Sequence, residues 1–75
     1  MRKIYEIAMD IIADWKNVSP HAAPYLHAMT TLDDMSDSFG LDSAQSIIVY
    51  FLGNAQGYRG ETARKVKKEL KDMLK

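Results

Sequence analysis

From Ile4 the apolar residues fall at Ile4, Ile7, Ala8, Ile11, Ile12 and Trp15, a spacing of threes and fours that puts them on one face of a helix. This predicts a first helix over about residues 2 to 16. The segment Asn17 to Ala23 collects Asn, Ser and Pro and reads as a connection. Pro24 suits the first turn of the next helix, where its missing N–H has no partner to lose. An apolar stripe resumes at Tyr25, Ala28, Met29, Leu32, Met35 and Phe39. It predicts a second helix from about 24 to 36 or beyond, frayed at Ser36–Asp37–Ser38, with Gly40 placed to end it in a left-handed conformation.

Asp42 is a good N-cap for a third helix, and Gln45, three residues on, completes a capping-box spacing. Ile47, Ile48, Val49, Tyr50, Phe51 and Leu52 follow in succession, so apolar side chains point in almost every direction and the helix is expected at the centre of the fold. Periodicity alone allows Ile47–Leu52 to be a strand; the cap and the helical neighbours favour a helix. Gly53, Gly57 and Gly60 bracket a turn. Ala63, Val66, Leu70 and Met73 then repeat at helical spacing. The pattern predicts a compact all-α, four-helix domain spanning residues 1–75, with a central apolar third helix and an amphipathic fourth.

Composition narrows the class. A chain of 75 residues buries only about 60 to 65% of its unfolded surface and makes one core. With no cysteine, stability has to come from apolar packing, and a reducing, cytoplasmic setting is favoured. Met1-Arg2-Lys3 imitates the basic start of a signal peptide, but Glu6, Asp10 and Asp14 interrupt the apolar stretch that follows. No membrane-spanning run is read in the sequence.

Charge changes the picture more. The formal net charge is zero, yet seven of the ten basic residues lie from Tyr58 onward, facing only Glu61, Glu69 and Asp72, while Met1 to Gly57 carries three basic residues and seven acids. The chain is dipolar, and dipolar charge bears on partners rather than on fold.

Ala23-Pro24-Tyr25-Leu26-His27-Ala28-Met29, then Tyr50-Phe51-Leu52-Gly53-Asn54-Ala55 and Tyr58-Arg59-Gly60-Glu61-Thr62-Ala63-Arg64, carry a resemblance. Over nearly its whole length the chain resembles small uncharacterised proteins of Gram-positive bacteria and their phages or mobile elements. The resemblance implies a small accessory protein that acts by binding another macromolecule; it brings no activity and no site residue.

Catalytic chemistry finds little support. There is no cysteine, and no serine sits in a glycine-rich elbow or beside a plausible histidine base. His21 and His27 are six residues apart across Pro24, unlike the i, i+3 or i+4 spacing of metal-binding helices. Asp33, Asp34, Asp37 and Asp42 lack the alternation, central glycine and terminal glutamate of a calcium loop. No cofactor or metal is expected.

The sharper motif is Tyr58 to Lys65 with the lysines after it. Tyr58, Arg59, Arg64, Lys65 and Lys68 are the expected partner-binding residues, an aromatic beside arginine serving as anchor and the cations reading phosphate or an acidic protein surface. The opposing expectation for Tyr58 is that it packs back on the bundle to seal the turn. Asp42 to Lys75 has the outline of a helix-turn-helix, but the connection Gln56–Gly60 is long for one and residues able to read base edges are few. The sequence thus predicts a non-enzymatic protein that binds a protein partner or itself; the alternative is a small nucleic-acid-binding regulator using the basic C-terminal helix.

Overall fold

The computed structural model describes residues 2–75. Four helices, α1 (Ile4–Asp14), α2 (Ala23–Met29), α3 (Ala44–Gly53) and α4 (Glu61–Met73), are joined by short connections, and a two-stranded antiparallel hairpin, β1 (Ser38–Phe39) and β2 (Asp42–Ser43), lies between α2 and α3. The chain is therefore mostly helical, as its periodicity predicts, with a small sheet that the periodicity does not.

Helix α1 starts where the Glu6 carboxylate reaches back to accept from the Lys3 backbone N–H at 2.8 Å. The free N–H groups of Ile4 and Tyr5 donate to the carbonyls of Asp33 and Leu32, each at 2.9 Å. The connection after α2 thereby satisfies donors that a helix start leaves without intrahelical partners. Ile4, Ile7, Ala8 and Ile11 are fully buried and Trp15 nearly so, but Ile12 is exposed, on a flank it shares with Tyr5 and Met9.

The second helix is shorter than its stripe suggests. It ends at Met29, because Thr30 and Thr31 turn their hydroxyls onto the His27 and Ala28 carbonyls at 2.6 and 2.8 Å while the backbone tightens into i to i+3 bonds. Leu32 still reaches the core, but Phe39 lies exposed in the hairpin. Gly40 does take the left-handed conformation, at φ 61°, in the hairpin turn rather than at a helix end. Asp42 pairs with Phe39 across that hairpin, so the cap of α3 falls to Ser43, whose Oγ accepts from the Ser46 N–H at 3.1 Å. The expected Asp42 N-cap is thus displaced by one residue, and no capping box forms there among the described residues.

The segment Ile47–Leu52 is helical, but α3 is not enclosed on all sides. Ala44, Ile47, Ile48 and Phe51 are buried, whereas Val49 and Tyr50 are about half exposed. The principal partner of α3 is α2, whereas α1 packs against both α2 and α4. The centre of the core is shared between α1 and α3. Among the described residues, nineteen buried apolar ones drawn from all four helices and their connections form one cluster, and the radius of gyration, 11.0 Å, is that of a compact chain of this length. Among the described residues no helix is long and apolar enough to cross a membrane.

Candidate binding face on the basic helix

Gly60 sets the entrance to α4. Its backbone, at φ 114° and ψ −177°, lies in a region open essentially to glycine alone, and the helix that follows buries Ala63, Val66 and Leu70. Periodicity then settles where the charges go. Arg64, Lys67, Lys68 and Lys71 stand at i, i+3, i+4 and i+7 and share one face, and Lys75 lies just past the end of α4. With Asp72 they line an open depression of about 420 Å³. Lys65, one position on from Arg64, is turned by about 100°; it lies outside the depression and pairs with Glu61 at 3.6 Å.

The cations of this face are held in different ways. Lys67 is half-buried; its Nζ donates to the Tyr58 carbonyl at 2.6 Å and sits 5.8 Å from the centre of the Tyr58 ring, within range of a cation–π attraction. Burial above all, then the like charges of Lys71 and Arg59, holds its pKa below the ordinary lysine value. Lys68 and Lys75 both reach Asp72, at 3.3 and 3.6 Å. The Lys68 hydrogen bond chiefly, with the Lys75 charge behind it, lowers the Asp72 pKa. Arg64 and Lys71 are exposed and form no ion pair among the described residues.

The positive face does not continue across the molecule. On the side toward α1, Arg2 donates twice to Glu69, at 2.7 and 3.1 Å, and once to Asp10 at 2.5 Å. That cluster carries one cation and two carboxylates. Glu6 and Asp14 extend the acidic margin along α1, both exposed.

Of the residues expected to bind a partner, Arg64 and Lys68 belong to the depression. Arg59 is exposed and close enough to Lys67 to lower its pKa. Tyr58 does not fit the role. It is 2% exposed, stacked on Trp15 with ring centres 4.9 Å apart, and Trp15 in turn meets Phe51 edge-on at 6.3 Å. The ring is too large and apolar to stay in water when a slot beside Trp15 can take it, so it seals the turn before α4. Lys67, Lys71 and Lys75 complete the face.

The two histidines remain on the surface. Two acids of the 33–42 segment have local duties: the Asp37 carboxylate accepts from the Asp33 and Asp34 N–H groups at 2.7 and 3.2 Å, and Asp34 accepts from the Ser36 N–H and hydroxyl at 2.9 and 2.5 Å. These bonds build the turn that leads into the hairpin. Comparison with family models, with curated proteins and with solved structures finds no match to this chain.

Proposed function

We propose that the protein is a small non-enzymatic binding protein whose α4 face receives an acidic surface of a protein partner. One observation carries this reading: the cations of the α4 face form a stripe one helix wide, bordered on the α1 side by the carboxylates of Glu69 and Asp10. A narrow stripe of one sign with the other sign along its margin favours a partner of matching outline and disfavours a broad polyanion. Lysines supply most of the charge, and lysine acts as a point charge without the planar fork that arginine uses to read guanine edges.

The test is capture of the native partner by the protein and by a variant carrying Lys68→Glu and Lys71→Glu. Both side chains are exposed, so the fold should persist, since exposed charges contribute no more than about 1 kcal/mol each. Partner capture should be lost. Undiminished capture by the folded variant would remove α4 as the binding face. The alternative, a nucleic-acid-binding regulator, draws on the same depression, which is open enough to admit phosphate; tight duplex binding at physiological salt would establish it over the protein reading.

A further inference from the structure

We infer that the occupant of the α4 depression is an α-helix bearing a carboxylate on every turn of one face, which rests on α4 being the binding face and adds the shape and charge pattern of what it binds. Arg64, Lys67 with Lys68, and Lys71 advance along the axis of α4 by about 4.5 to 6 Å at each step, at 1.5 Å per residue, and Lys75, just past the helix end, extends the row by roughly one more turn. A second helix laid alongside presents acids at i, i+4, i+7 and i+11 with the same advance. Each carboxylate then meets a cation without either helix bending. An extended strand, rising about 3.3 Å per residue with alternate side chains facing away, returns to the same face every 6.6 Å and falls out of step over the length of the stripe.

Width points the same way. A single helix measures about 10 to 12 Å across with its side chains and can lie over the cations alone. A nucleic-acid duplex is broader than its major groove, itself about 12 Å wide, and would bring phosphates over Glu6, Asp10, Asp14 and Glu69, all at least partly exposed on the α1 side. Like charges opposed in that way cost binding energy.

The cations differ in what docking asks of them. Lys67 is already anchored by the Tyr58 carbonyl, so one donor is committed, two remain, and little freedom is left to lose. Lys68 and Lys75 have to exchange Asp72 for a carboxylate of the incoming helix. Asp72 therefore holds these lysines when the face is empty and competes when it is filled.

Two synthetic helical peptides of identical composition test the assignment, one with four glutamates at i, i+4, i+7 and i+11, the other with the same four spread around the helix, their helicity matched by circular dichroism. Titrated by fluorescence anisotropy at low salt, the patterned peptide should bind at least about tenfold tighter, a factor that corresponds to one step of 1.4 kcal/mol. Lys71→Glu should abolish the preference. Lys65→Glu, an equal change of net charge outside the depression, should keep it. Asp72→Asn should tighten binding by about two- to fivefold, as expected when one competing like charge is removed. Equal affinity for the two peptides overturns the helical occupant, as does tighter binding of a short DNA duplex or the absence of binding by the patterned peptide. In any of these cases, native-partner capture that still depends on Lys68 and Lys71 leaves the α4 face standing, so the two readings fail separately.

Discussion

At the residue scale Tyr58 joins the core to the basic face of α4. Its ring lies between Trp15 and the Lys67 ammonium, its carbonyl fixes Lys67, and its hydroxyl is buried without a hydrogen-bond partner among the described residues. Burial chiefly, with the nearby Asp14 carboxylate adding to it, pushes the phenol pKa well above its ordinary value. A raised pKa favours the protonated form in the folded state, so this contribution is intact below the unfolded tyrosine value of about 10 and is lost as pH rises beyond it. Tyr58→Phe removes both the orphaned hydroxyl and the titration. At neutral pH it should leave stability unchanged or raise it by up to about 1 kcal/mol. In thermal melts from about pH 9 to 11, about one unit either side of the unfolded value, its advantage over the unaltered protein should grow with pH. An advantage that stays flat across that range would show that water reaches the hydroxyl in the folded protein and leaves its titration as in the unfolded chain. In sequence this residue stands in a glycine-flanked turn beside arginine, where both exposure and burial are open; only the slot left by Trp15, at the C-terminal cap of α1, and Phe51 of α3 decides between them.

At the element scale, what local sequence dictates was legible and what tertiary partners dictate was not. The stripes of α1 and α4 specify most of their buried faces, Ile12 being the member of the α1 stripe that lies exposed. For the region after Met29 the stripe continues in sequence, yet Thr30 and Thr31 close the helix and the Leu32 and Asp33 carbonyls are taken by α1. No period in the sequence encodes that exchange. In α3, six successive apolar residues conceal which side faces water, and the structure resolves it: Ile48 and Phe51 inward, Val49 outward. Ile48→Ala and Phe51→Ala should each cost about 2 to 5 kcal/mol, a large share of what so small a domain possesses. Val49→Ala, on the exposed side, should stay within about 1 kcal/mol. Chemical denaturation of the three variants gives the comparison directly, and equal losses at all three positions would return α3 to a fully enclosed position. The cations of α4 carry a related lesson. Grouping Arg59, Arg64, Lys65 and Lys68 follows adjacency in sequence, whereas rotation by about 100° per residue separates Lys65 and brings in Lys67, Lys71 and Lys75; that selection was available from the spacing alone.

At the scale of the whole molecule, opposite charges are segregated in sequence but stitched together in space. Arg2, ahead of α1, spans to Glu69 of α4 and to Asp10 of α1, so one cation from the acidic part of the chain ties down the acidic edge of the basic helix. All three side chains are partly exposed, between 37 and 49%, and an exposed network of this kind contributes at most about 1 kcal/mol. For a domain of this size that corresponds to a melting temperature lower by up to about 4 to 8 °C when Arg2 is replaced by Ala. The cause can be separated by salt. At about 1 M ionic strength the screening length shrinks to about 3 Å, and if the tie is electrostatic the difference between Arg2→Ala and the unaltered protein should largely close. A deficit that salt does not reduce would mean that the apolar stem of Arg2, lying over the junction of α1 and α4, supplies the stability by packing. The distinction bears on binding as well. With Arg2 gone, Glu69 and Asp10 are left as uncompensated negative charge beside the cations, so an acidic partner should bind more weakly at low salt even though no residue of the depression has changed, and the weakening should fade as salt is raised.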